Sequence, residues 1–217
     1  QPIEQRVLDV DNLLKNGKLN SQSNIAFGEG GAGTFSDGKL TTGIKNNRLQ
    51  YILETFVKHG APEDILYLSK AHIGTDYLRK VIVHMRKSME EKGVKFLFNT
   101  QMVDFEHHHQ FDIEVVHNGE KSLLKADDLV LAIGHSARDT YEMLYRKGVP
   151  LKQKPFAVGV RIEQLQETIN KIQYKKSYLS PYLKAASYKL AVKTKEGRGV
   201  YTFCMCPGGV VIGSSSD

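Results

Sequence analysis

From Phe27 to Gly43 the chain reads F-G-E-G-G-A-G-T-F-S-D-G-K-L-T-T-G, six glycines in seventeen positions. Glycine removes the side chain that would keep a ligand off the main chain, and it lets successive N–H groups turn the same way. Such a nest of donors binds phosphate oxygens. Thr34, Ser36 and Lys39 add further donors. The chemistry these residues suit is capture of a phosphate-rich cofactor. Two nucleotide motifs come close here and fail on context. Gly28-Glu29-Gly30-Gly31-Ala32-Gly33 fits G-x-G-x-x-G, but that fingerprint needs a strand before it and a helix opening from it. Only residues 24–27 could be the strand, and Thr34-Phe35-Ser36-Asp37-Gly38 does not start a helix. Gly33 through Lys39 and Leu40 approaches a P-loop, yet Leu40 stands where Ser or Thr would hold Mg²⁺. The plain alternative is a turn-rich loop with no ligand.

Three other groups could carry chemistry. Cys204 and Cys206 sit in T-F-C-M-C-P-G-G. On a strand they share a face, with Cα atoms about 6.5–7 Å apart from the strand rise. That is near the upper limit for a disulfide. The pair therefore reads as two buried thiols, as a thiol pair facing a redox cofactor, or as a metal site, the last opposed by the lack of a second ligand pair at zinc-like spacing. His107-His108-His109 cannot converge on a metal, because neighbours on a strand point to opposite faces; a solvated turn is expected there, and no metal site. His135 follows an apolar run at what would be the C-terminal edge of a sheet, where α/β proteins place ligands. It could hydrogen-bond a cofactor, donate a proton, or simply begin a helix beside Ser136.

The elements that must position these groups are readable from periodicity. Residues 3–16 carry Ile3, Val7, Val10 and Leu14 at helical spacing and end at Gly17. Residues 46–59 form a second helix, 62–68 a short one, and 75–92 a longer one closed by Gly93. Residues 94–98 (VKFLF) read as a strand. Three strands at 102–106, 111–116 and 122–125 make an antiparallel meander with Asn118-Gly119 as a hairpin turn. Residues 129–133 (LVLAI) form a continuous apolar run, expected as a strand buried on both faces. Residues 136–147 are helical, 155–163 a strand, 164–172 a short helix, 174–190 irregular, and 200–205 and 210–212 strands.

The composition is that of a globular chain: 217 residues, 41% hydrophobic and 25% charged. No run approaches the ~18 apolar residues of a membrane span. Two cysteines fit a reducing, cytoplasmic setting. The net charge of +6 favours anionic ligands, and Lys171, Lys175, Lys176, Lys184, Lys189, Lys193, Lys195 and Arg198 concentrate it late in the chain. Those residues read as a solvated face or as a nucleic-acid patch. Gln1 in place of methionine, and an apolar run ending at Asp217, suggest an internal piece of a longer protein.

GEGGAGTFSDGKLTT (28–42), HIGTDYLRKV (72–81), LVLAIGHSARDTYEML (129–144), KPFAVGVRIE (154–163) and YTFCMCPGG (201–209) together resemble a bacterial family of FAD-dependent dehydrogenases, NAD(FAD)-utilising flavoproteins of the glutathione-reductase-like two-domain class. The resemblance runs through essentially the whole chain. It implies an α/β fold: a partial Rossmann-like FAD-binding domain without its first βαβ unit, with an antiparallel β-meander, followed by part of a β-rich substrate domain. Domains of 1–150 and 151–217 follow from it. It also implies that Gly28–Leu40 lies along the diphosphate and ribityl chain of FAD. By the same resemblance Val103 would meet adenine through main-chain groups, and Ala132, Ile133 and Gly134 would lie beside the dinucleotide. Cys204, Cys206 and His135 become candidate catalytic residues, and NAD(P)H a candidate electron donor. The implied activity is hydride exchange at non-covalent FAD with a small-molecule substrate that the residues do not name, and with no activity expected from these 217 residues alone. The competing readings are an RNA- or polyanion-binding module built on the basic C-terminal region, and a purely structural domain. No membrane partner is expected, and the residues do not set an oligomeric state.

Overall fold

The computed structural model describes residues 1–35, 38–40, 46–68, 73–203, 205–209, 211 and 213. The chain divides into two compact units, one formed by Gln1–Gln153 and the other by Lys154–Gly213.

The first unit opens with α1 (Ile3–Asn16), which buries Ile3, Arg6 and Val10 along one stripe. It ends at Gly17, whose left-handed φ of 65° lets its N–H bond the Leu13 carbonyl at 2.9 Å. Helix α2 (Arg48–Lys58), a 3₁₀ turn (Glu63–Leu66) and α3 (Thr75–Glu90) enclose the main apolar core. That core is Ala61, Ile65, Ile73 and Val81, with Leu53, Phe56, Leu78 and Met85 packed on it. After α3, Gly93 (φ 87°) and Val94 return their N–H groups to Glu90 and Met89 and close the helix.

The meander is β1 (Thr100–His107), β2 (Phe111–His117) and β3 (Glu120–Ala126), antiparallel in the order β1-β2-β3. Asn118 and Gly119 both have positive φ, 51° and 86°, as a two-residue primed turn between β2 and β3 requires. Ile113 and Val115 of β2 are buried, as is Leu144 of α4 (Arg138–Arg146), which packs on β1. The second unit holds α5 (Gln166–Tyr174), a 3₁₀ turn (Lys175–Ser177) and a hairpin of β4 (Ala191–Lys193) with β5 (Gly199–Tyr201). Asn170 Oδ1 accepts the Ala186 N–H at 2.9 Å and Gln166 donates to the Ala186 carbonyl at 2.8 Å, fixing the segment before the hairpin onto α5.

Three expected strands are not formed. Residues 94–97, 129–133 and 155–163 have no strand structure, and Val130 is 85% and Val158 86% exposed. The physical reason is pairing. A strand buried on both faces needs neighbours to satisfy its N–H and C=O groups, and among the described residues the only sheets are the meander and the β4–β5 hairpin. The Rossmann-like parallel sheet is thus not seen among the described residues; the architecture is mixed α/β with antiparallel strands. The hairpin adds a strand, Ala191–Lys193, in a stretch where the sequence predicts no element; residues 178–190 are irregular as expected, and of the strand expected at 200–205 only Val200 and Tyr201 are in strand, within β5. The hairpin's turn is closed by Thr194 N–H to the Arg198 carbonyl at 2.8 Å. Of the expected strand at 210–212, Val210 and Ile212 lie outside the described residues.

Candidate cofactor-binding site

The glycine loop is organised around one buried cation. Arg6 points from α1 into the loop with no solvent exposure. Its Nη1 donates to the carbonyls of Glu29 and Gly31 (the latter at 3.0 Å), and its Nη2 to those of Asn24 (2.9 Å) and Ile25 (3.1 Å). The guanidinium also lies 4.8 Å from the Phe35 ring centroid, with Arg79 of α3 5.2 Å from the same ring. Burial pushes the Arg6 pKa down to about 10, and the nearby Glu29 carboxylate opposes that shift. The residue therefore stays charged at neutral pH.

The glycines divide into two kinds. A Cβ on Gly28 (φ 110°) would lie 2.3 Å from Arg6 Cδ, and one on Gly30 (φ 80°) would lie 2.3 Å from both Ile82 Cδ1 and Thr34 Oγ1. These two are glycine because the protein's own side chains fill the space. At Gly31 and Gly33 a Cβ would meet nothing within 4 Å, so a side chain would have room there. Ala32–Phe35 then makes one 3₁₀ turn. Thr34 is fully buried, and its Oγ1 has no hydrogen-bond partner among the described residues. Gly38 accepts the Ile73 N–H at 3.1 Å, Leu40 packs on the core and Lys39 is exposed. Ser36 and Asp37 lie outside the described residues.

Glu29 ties the loop to two helices. Its Oε2 accepts the N–H of Ile3 at 2.8 Å, capping the start of α1, and its Oε1 lies 3.3 Å from Arg86 Nε of α3. Arg86 also pairs with Glu4. Burial works to raise the Glu4 pKa, but its own backbone N–H and Arg86 outweigh that and hold the carboxyl below its ordinary value. Asn24, fully buried, accepts the N–H groups of Ala26 and Phe27 at 2.8 and 3.2 Å and shapes the entry to the loop.

Val103, another candidate residue, lies on β1. The register with β2 slips between Met102 and Asp104, so Val103 is the extra residue of a β-bulge and has no partner across the ladder. A cleft of about 190 Å³ opens there, lined by Gln101, Met102, Val103, Asp139, Thr140 and Met143. Gln101 donates to Asp139 at 2.7 Å across it. Just before α4, Gly134 turns with φ 69°, and its carbonyl accepts the Tyr141 hydroxyl at 2.9 Å. Ala132 is exposed and Ile133 half-buried; His135 is exposed, with its Nδ1 2.8 Å from Ser136 Oγ. The bulge, the cleft and the turn at Gly134 thus lie along the contact of α4 with β1.

His107 stacks on Phe111 at 4.3 Å, and His108 faces Glu106 at 3.3 Å, at the β1–β2 hairpin. Among the described residues no group of three or more His, Cys, Asp or Glu is placed to hold a metal ion, and no helix is long and apolar enough to cross a membrane. In the second unit Cys206 is exposed at the turn Pro207-Gly208, and Cys204 lies outside the described residues. The lysines of 171–195 are spread over α5, the following turn, the irregular stretch 183–190 and the hairpin. Lys171 pairs with Glu167 at 2.7 Å and lies over Tyr178.

Sequence reasoning about the site missed Arg6, Asn24 and Arg86. A signal for Arg6 existed: a charged residue falls on the same helical stripe as Ile3 and Val10, and a charge there must meet polar partners inside.

Residues 155–217 match the family described as FAD-dependent protein, C-terminal domain-like. A protein of Clostridium beijerinckii, described as uncharacterised, is 47% identical over 218 residues, covering all of this chain and 40% of its own length. The chain therefore spans about two fifths of the relative it matches, and the loop around Arg6 falls inside that alignment. Residues 54–168, just over half of the chain and including the Val103 bulge and the turn at Gly134, match the pyridine nucleotide-disulphide oxidoreductase family, and the chain belongs to that family.

Proposed function

We propose that this chain is part of an FAD-dependent dehydrogenase of the glutathione-reductase-like class that holds FAD without a covalent bond. In this reading the loop from Gly28 to Leu40 holds the diphosphate, the main chain at the Val103 bulge meets the adenine edge, and the turn at Ala132-Ile133-Gly134 flanks the dinucleotide. The observation that carries it is the two-sided loop: Gly28 and Gly30 are closed against Arg6 and Ile82, while a Cβ on Gly31 or Gly33 would meet nothing within 4 Å. At Gly33, whose φ is not positive, neither packing nor backbone conformation requires glycine. The bulge at Val103, beside the cleft between β1 and α4, also suits a polar guest.

Bound FAD supplies the hydride chemistry, and NAD(P)H is the proposed electron donor. This chain's residues bind and orient. The outer face of the loop offers N–H donors to phosphate oxygens, and the cationic neighbourhood of Arg6, Arg79 and Arg86 favours an anion nearby. His135, exposed beside Gly134, is the residue proposed to hold or move a proton, and Cys204 with Cys206 is the proposed redox-active or substrate-facing pair. The 1–150 segment is proposed as the cofactor domain and 151–217 as the start of the substrate domain. The 217 residues alone are expected to be inactive.

The test is reconstitution of the full-length protein with FAD, followed by anaerobic addition of NADH or NADPH. Bleaching of the flavin band is the expected result. A bound flavin that neither nucleotide reduces would remove the proposed donor, and no bound flavin would remove the reading.

A further inference from the structure

We infer that Arg6, well away in sequence from any glycine, is the positioning residue that presents the outer amides of the loop to a phosphate; the inference rests on the proposed FAD reading. Four carbonyls of one short segment, those of Asn24, Ile25, Glu29 and Gly31, turn inward onto the same guanidinium. A trans peptide is planar, with its N–H opposed to its C=O. Drawing the Glu29 and Gly31 carbonyls onto Arg6 therefore aims the next N–H groups, those of Gly30 and Ala32, away from the cation and toward the loop's other side. A Cβ on Gly31 or Gly33 would meet nothing within 4 Å, which leaves room beside the loop. The orientation of the donors is thus set by a side chain that the phosphate itself does not touch.

Three observations say that this arrangement is built rather than incidental. Gly28 is bare where Arg6 passes, with a Cβ position 2.3 Å from Arg6 Cδ. Phe35, at the end of the same loop, lies against the guanidinium. Glu29 anchors the loop to the start of the helix that carries Arg6, through the Ile3 N–H. Lysine cannot substitute in this role. It has a single nitrogen and three donors, whereas Arg6 spreads its bonds over two nitrogens in a fixed plane.

The experiment measures FAD affinity of the full-length protein, stripped of flavin, by quenching of flavin fluorescence. The variants are Arg6→Met, Arg6→Lys and, as a control, Ile65→Val, a core change in the same unit. Folding is checked by near-UV circular dichroism at the assay temperature. The expected result is a Kd raised roughly tenfold or more by Arg6→Met, an intermediate loss for Arg6→Lys, and a Kd within about twofold of wild type for Ile65→Val. A folded Arg6→Met protein that binds FAD like wild type would overturn the inference. So would an equal loss in Ile65→Val, which would mark a general effect of stability. If Arg6→Met does not fold, Phe35→Leu replaces it: removal of the ring against the guanidinium should weaken binding about threefold, and unchanged binding overturns the inference. Wild type that binds no FAD brings down the functional reading and this inference with it. Wild type that binds while Arg6→Met is indifferent leaves the functional reading standing and removes only this one.

Discussion

Gly28→Ala and Gly31→Ala place the same methyl group at two positions of one loop, both with positive φ (110° and 65°). At Gly31 the new Cβ meets nothing within 4 Å. Its cost is the left-handed backbone alone, about 1 kcal/mol, less a few tenths recovered from the stiffer unfolded chain. At Gly28 the Cβ would fall 2.3 Å from Arg6 Cδ, 2.7 Å from Nε and 2.9 Å from Cγ. Ordinary contact is about 3.5–4.0 Å, so the Arg6 side chain must retreat by roughly 1 Å. Its guanidinium is held by four carbonyls, and hydrogen bonds to charged groups contribute about 1.5–3 kcal/mol each. Loosening one or two of them adds about 2–4 kcal/mol to the backbone cost. The expected penalties are therefore about 0.5–1 kcal/mol for Gly31→Ala and about 3–5 kcal/mol for Gly28→Ala. Urea unfolding followed by far-UV circular dichroism measures both, with an unchanged m-value as the sign that only stability moved. Equal midpoints for the two variants would refute the packing of Arg6 against Gly28, and with it the account of why the loop is bare there.

Val81→Ala deletes two methyl groups from a side chain with no exposure in the helical core, and a loss of about 2–3 kcal/mol is expected by the same unfolding assay. Arg86→Met leaves the Glu29 carboxylate, 8% exposed, without its cation; about 2–4 kcal/mol should be lost, and the Arg86→Met/Glu29→Gln pair should cost less than the sum of the single changes. Asp104 is held below its ordinary pKa first by its hydrogen bond from Lys147, at 2.8 Å. A depressed carboxyl contributes stability that is fully present above its unfolded pKa, near 3.8, and lost as the pH falls through the lower folded value. Asp104→Asn should thus cost about 0.5 kcal/mol at pH 7, since the pair is partly exposed, and the difference from wild type should vanish on acidification below that window. A difference that persisted in acid would mean that the pair is not its source.

What was legible in the sequence was whatever neighbouring residues decide. Gly17 stops α1 through its own left-handed φ, Asn118-Gly119 makes its turn with two residues, and the alternation through 100–126 folds back on itself. What was not legible depends on distant partners. The runs 94–98, 129–133 and 155–163 have strand composition, but a strand exists only where another chain segment offers its ladder, and the described residues offer none. The bulge at Val103 has no local signature, because it arises from a mismatch of register between two strands that look regular separately. The hairpin at 191–201 hid behind Lys195-Glu196-Gly197, which reads as a solvated charged stretch until the Thr194–Arg198 hydrogen bond is seen. At the candidate site the glycine count pointed to the loop, yet not to its division of labour. Gly28 makes room for an arginine more than twenty residues earlier, and Gly30 for Ile82 and Thr34.

If this loop and the bulge at Val103 belong to an FAD site, the purified full-length protein retains flavin after incubation with FAD and gel filtration. The expected product is a yellow protein with about one FAD per chain, released intact on acid or heat denaturation because no covalent bond holds it. A folded protein that elutes colourless from excess FAD would contradict it.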